Sequence, residues 1–154
     1  MRKSILLSAL LATLTIGCSD NTQRRTYDIS VSNETAGPIT VWLTKDGGPI
    51  EPGWRSPEQL ARVAPAHEER IAGLVIPPGK TGATGPVEGH FQRGADAWLR
   101  IYEGQRKFSE ILAISHDSPS RIDVPLRPGQ NRLKVHTKSG QIAATPAAPD
   151  PAQP

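Results

Sequence analysis

Apolar residues recur at every second position in four short runs of this chain, and turn residues separate the runs. Ile29 and Val31 alternate with Ser30 and Ser32; beyond Ala36-Gly37-Pro38, Ile39, Val41 and Leu43 alternate with Thr40, Trp42 and Thr44. Later, Ile122, Val124 and Leu126 alternate with Arg121, Asp123 and Pro125, while Leu133 and Val135 sit between Arg132, Lys134 and His136. A period of two puts neighbouring side chains on opposite faces, so each run reads as a half-buried strand. The first two runs look like a hairpin. Between the last two, Pro128-Gly129 suits a type II turn, with proline presetting φ and glycine supplying φ > 0.

Residues 73–76, 87–91, 97–103 and 110–115 are further strand candidates, and Pro77-Pro78-Gly79 marks another turn. Glycine and proline number 14 and 15 in 154 residues, a content that favours turns over long helices. Strands this short and this frequent predict an all-β fold, an antiparallel β-sandwich of immunoglobulin-like or transthyretin-like kind by analogy. One helical signal interrupts them. Ser56 is a capping residue, Pro57 fits the first helical position and Gln59 takes the capping-box place, ahead of Leu60 and Val63. This short helix falls in a loop over residues 45–70, and loops of that length in compact domains are often functional.

The amino terminus carries a different message. Met1, Arg2 and Lys3 are followed by an uncharged, mostly apolar stretch over residues 5–16. As a helix it would cover roughly 18 Å, short of the ~30 Å hydrocarbon core of a bilayer. The stretch ends in Leu14-Thr15-Ile16-Gly17-Cys18, with a small residue before the chain's single cysteine. This resembles the signal peptide and lipobox of bacterial lipoproteins. The third residue before the cysteine, usually leucine in that family, is Thr15 here, with Leu14 one place earlier.

The resemblance implies cleavage after Gly17, diacylglycerol on the Cys18 thiol and an acyl group, such as palmitate, on the new amino terminus. Two or three chains make attachment effectively permanent at about 0.8 kcal/mol per buried methylene. No other cofactor is implied. Ser19 rather than aspartate follows the cysteine, which in that family favours the outer membrane, facing the periplasm, where the organism has one. Cleavage also removes Arg2 and Lys3, so a formal +3 (18 basic, 15 acidic) falls to +1. That balance argues against a nucleic-acid partner.

The expected organisation is a signal peptide over residues 1–17, an acylated tether over 18–26, a sandwich over 27–138 and a disordered Pro/Ala-rich tail over 139–154. The tether is polar throughout, and QIAATPAAPDPAQP has too little apolar surface to offset chain entropy.

Several catalytic look-alikes fail. Pro78-Gly79-Lys80-Thr81 ends like a phosphate-binding loop, but Leu74 stands where the first glycine is required. His67-Glu68 opens like a zincin helix, yet Ile71 occupies the second histidine position. Ser118 lacks a nucleophile-elbow context. His67, His90, His116 and His136 are scattered, so no metal site is expected and the histidines read as surface imidazoles. Asn33-Glu34-Thr35 matches a glycosylation sequon with no expected use.

The aromatic residues are the remaining functional lead. Trp42, Trp98 and Tyr102 occupy the face of their strands opposite the aliphatic residues, and Arg100 lies between the latter two. Exposed, they and Trp54 form a candidate surface for stacking a glycan or docking a protein. Packed against the 45–70 loop, with Trp54 as a lid, the same residues form a second small core. With only seven aromatics in the chain, the buried reading is favoured. The expected function is therefore a membrane-anchored, non-catalytic binding module for an envelope protein or polysaccharide, not an enzyme. The alternative is a structural or assembly lipoprotein without a small-molecule ligand. Oligomeric state is not legible.

Overall fold

The computed structural model describes residues 22–63 and 73–147. Cys18, Gly17, His67 and the residues beyond Ala147 lie outside them. The described residues form a two-sheet, all-β sandwich, as the alternation requires. In the first sheet, β1 (Thr22–Asn33) pairs along one side with β4 (Thr81–Ala83) and β5 (Val87–Gln92), and along the other with β8 (Gly129–Lys138). β9 (Gln141–Pro146) follows β8. The second sheet runs β3 (Leu74–Ile76), β2 (Ile39–Lys45), β6 (Ala97–Glu103), β7 (Arg121–Leu126). All pairs are antiparallel except β1 with β8, which makes the first sheet mixed.

The main core lies between the sheets. Tyr27, Ile29, Val31, Phe91, Leu133 and Val135 come from the first sheet; Ile39, Val41, Ile76, Leu99 and Ile101 come from the second. Every alternating run identified in the sequence supplies core residues. The hairpin does not form, because β1 and β2 belong to different sheets. Two strands facing each other across a core show the same alternation as two strands paired in one sheet. The crossing is fixed by Asn33, which is 1% exposed and donates from Nδ2 to the carbonyls of Gly37 (2.8 Å) and Ile76 (2.9 Å). That buried amide has no room for a glycan.

Three further expectations are corrected. Residues 110–115 are not a strand: Phe108–Ala113 is α2, because Phe108 and Ile111, three apart, bury one helical face while Glu110 accepts the Lys107 N–H (2.8 Å). The tether is shorter than 18–26, since Thr22 to Tyr27 pair in register with Gln92 to Val87. Its apolar cover is provided by Arg25, whose guanidinium lies 5.1 Å from the Phe91 ring centroid and donates to the Ala95 carbonyl (2.8 Å). The tail does not begin at residue 139. Ser139 and Gly140 both have positive φ, as a two-residue type I′ hairpin requires, and β9 returns along β8 with Ile142 buried.

The proline-glycine turn before β8 behaves as expected locally, with Gly129 at φ +93°, but it carries the chain from one sheet to the other. The helix α1 (Pro57–Val63) starts on the cap its sequence announces: Ser56 N–H donates to Gln59 Oε1 (2.9 Å), and Gln59 N–H to Ser56 Oγ (3.2 Å).

Candidate functional site

The outer face of the second sheet carries three rows of side chains set by strand register. Thr40, Tyr102 and Arg121 form one row, Trp42, Arg100 and Asp123 the next, and Thr44, Trp98 and Pro125 the third. Aromatic and charged residues on a sheet face need a cover or a ligand, and this face has both a covered and an open part.

The covered part lies under the two helices. Tyr102 (0% exposed), Phe108 and Ile111 form a second buried cluster, with Trp42, Leu60, Ala61 and Ile114 packed against it. Trp42 is half-buried; its Nε1 donates to the Arg55 carbonyl (2.8 Å) and its ring centroid lies 6.0 Å from that of Phe108. Tyr102 Oη is buried without a hydrogen-bond partner among the described residues, and burial pushes its pKa up. Trp42 and Tyr102 are therefore core residues of this layer.

The open part is a polar groove of about 400 Å³, lined by Thr44, Asp46, Gln59, Trp98, Arg100, His116, Arg121 and Asp123. Arg121 donates to Asp123 through Nε (2.9 Å, to Oδ1) and Nη2 (2.6 Å, to Oδ2), and this pairing, working against burial, raises the Arg121 pKa. Arg100 reaches both Glu58 carboxylate oxygens from Nη1 at 2.8 Å. Burial alone would raise the Glu58 pKa, but hydrogen bonds from Ser56, its own backbone and Arg100 lower it. The α1 cap thus serves the groove by fixing the helix that carries Glu58. Trp98 Nε1 donates to Asp46 Oδ2 (2.7 Å), which holds the indole in place. His116 Nε2 stands 3.8 Å from Asp123 Oδ2.

Trp54 departs furthest from its expected place. It is no lid on this face but lies in the main core, 1% exposed, with its ring 5.4 Å from Tyr27 and 5.2 Å from Phe91, centroid to centroid. Its Nε1 donates to the Glu88 carbonyl (2.8 Å). Beside it, Lys45 buries its whole side chain and donates from Nζ to the Glu51 carboxylate and the His90 carbonyl, 4.8 Å from the Phe91 centroid. Burial would raise the Glu51 pKa, but Lys45 and the His90 N–H override it and hold that carboxyl at about 2.

The chain matches no protein-family model, and no curated protein is similar to it in sequence. Function must be argued from the groove.

Of the five surface candidates, Trp98 and Arg100 line the groove, Trp42 and Tyr102 lie under the helices, and Trp54 is in the core. Asp46, Gln59, His116, Arg121 and Asp123 line the groove as well but were not among the surface candidates. Arg121 and Asp123 carried a usable signal, their alternation with Ile122 and Val124, but only register sets them beside Tyr102 and Arg100. No three His, Cys, Asp or Glu side chains among the described residues converge as metal ligands would. A larger cleft of about 520 Å³ lies along β7 and β9, with Val124, Leu133, Ala144 and Pro146 in its walls. It is a seam at the margin of the main core whose lining includes Arg127 and Arg132 but no carboxylate, whereas cations and carboxylates meet in the groove.

Proposed function

We propose that the protein is a lipoprotein held on the exported side of a membrane by acyl chains on Cys18, with a β-sandwich that acts as a non-catalytic binding module for an envelope glycan or protein. The observation that carries this reading is the groove on the outer sheet face. Its two guanidinium groups are already paired, Arg121 with Asp123 and Arg100 with Glu58. Polar groups paired and fixed before a ligand arrives suit recognition, because little ordering opposes binding.

Support for the anchor comes from the lipobox-like residues before Cys18. No helix among the described residues is long and apolar enough to cross a membrane. With β1 beginning at Thr22, the link from Cys18 spans at most about 14 Å. Such a link would hold the sandwich against the headgroup layer, with the outer membrane the favoured location where one exists. The assembly alternative drew on a long tail, and six of those residues belong to β9.

Changing Cys18 to Ala should move the protein from the membrane to the soluble fraction; unchanged membrane attachment would remove the anchor from this reading. Affinity purification from native membranes should capture an envelope component that a Trp98→Ala variant fails to retain.

A further inference from the structure

From the groove's charge balance and its fixed indole, we infer that its ligand is a neutral glycan, seated with one sugar ring against Trp98. The inference deepens the binding-module reading and rests on it. Among the groove's charges, the guanidinium groups of Arg100 and Arg121 are matched by the carboxylates of Glu58 and Asp123, and Asp46 adds a further negative charge beside Trp98. An anionic ligand would have to approach Asp46 and Asp123 or displace a carboxylate from its guanidinium. A cationic ligand would meet both arginines. Two guanidinium groups against three carboxylates leave one formal negative charge, which disfavours an anion, while the guanidinium groups lining the groove disfavour a cation.

What it does offer is a mixture of donors and acceptors at fixed positions. Arg121 keeps Nη1, Gln59 keeps Nε2 and Asp46 keeps Oδ1 without a partner among the described residues, while their other polar atoms are held by Asp123, Ser56 and Trp98. A sugar hydroxyl both donates and accepts, so adjacent hydroxyls can bridge such a set. A phosphate or carboxylate only accepts, and an ammonium only donates. The pyranose ring adds an apolar C–H face, which fits a flat indole whose N–H is already committed to Asp46. A volume of about 400 Å³ is that of a small-ligand site, large enough for a short saccharide and too small for a folded partner. Because the pairs are formed before binding, little side-chain ordering opposes it.

The test uses the native acylated chain in a detergent without a sugar headgroup. Calorimetry and tryptophan emission would follow titration with chitotriose, cellotriose, maltotriose and mannotriose, alongside trigalacturonic acid and inorganic phosphate. At least one neutral trisaccharide should bind and shift the emission. Trp98→Ala should weaken it by about tenfold or more, Trp98→Phe should restore most of the loss, and both variants should keep the wild-type circular dichroism. Affinity should change less than about twofold between about 0.05 and 0.5 M salt, since no charged ligand is involved. Binding of only trigalacturonic acid or phosphate, weakening with salt, would overturn the inference. So would the absence of any neutral binding, or neutral binding indifferent to Trp98→Ala. If the Trp98-dependent capture of an envelope protein from native membranes persists while no saccharide binds, the glycan inference fails and the binding-module reading stands.

Discussion

Lys45 and Arg100 stand on neighbouring strands of one sheet and on opposite faces, and each is a cation set among aromatic rings with a carboxylate for a partner. Lys45 is sealed: its side chain is wholly buried, and Glu51, the His90 carbonyl and the rings of Trp54 and Phe91 surround it. Arg100 leaves 17% of its side chain in solvent and borders the groove. The same residue chemistry therefore serves two ends. Where the cluster is closed, the interaction energy goes into holding two sheets and a loop together; where it is open, unused hydrogen-bonding atoms face outward. Closure separates these cases, since aromatic content and charge pairing are common to both.

The sharpest test of that contrast is to remove an indole from each cluster. Trp54→Ala should cost about 3–5 kcal/mol in urea-melt stability, because it empties a large volume in a packed core and strands the Glu88 carbonyl. Trp98→Ala should cost less, about 1–2 kcal/mol, because this partly buried indole borders the open groove and is not enclosed in a packed core. Comparable losses at the two sites would erase the distinction.

Next in size is the ion pair on the closed side. Glu51→Gln leaves the buried Lys45 ammonium without its counter-charge, and about 2–3 kcal/mol should be lost near neutral pH. The pH profile should change with it. In the folded protein Glu51 stays ionised down to about pH 2, whereas an unfolded chain's glutamate protonates near 4.3. The unfolded state thus binds the extra proton in that interval, so the wild-type protein should lose stability as pH falls from about 5 toward 2. Chemical denaturation of Glu51→Gln should show a shallower fall over the same range. A slope identical to wild type would mean that Glu51 and Lys45 do not couple as described.

The smallest effect belongs to the open side. Ser56→Ala removes the cap of α1 and should cost about 1 kcal/mol. It should also loosen the Glu58 contact with Arg100 and weaken groove binding more than it lowers the melting temperature. A stability loss with unchanged binding would show that α1 is only a cover.

Of the candidate site, the sequence made two residues legible. Trp98 and Arg100 could be placed on the outward face of β6 because Leu99 and Ile101 so clearly claim the inner one. Trp54 could not be placed, since it lies in a non-repeating loop where no periodicity reports a direction. Lys45 was missed for a related reason. It closes a strand on the core face, where a charge is not expected, and its burial depends on Glu51, the backbone of His90 and the rings of Phe91 and Trp54, which arrive from elsewhere in the chain.

Fold class, the core faces of the strands and the start of α1 were determined by sequence alone, because each depends on residues a few positions apart: a period of two, a serine with a glutamine three places on, a proline before a glycine. Sheet membership, the parallel pairing of β1 with β8 and the meeting of Arg121 and Asp123 with Arg100 were decided only in the tertiary structure. Those features depend on which distant strand provides the missing hydrogen bonds and which distant side chain completes a buried surface. An alternating pattern specifies the inward face of a strand, but it leaves open what lies across from it.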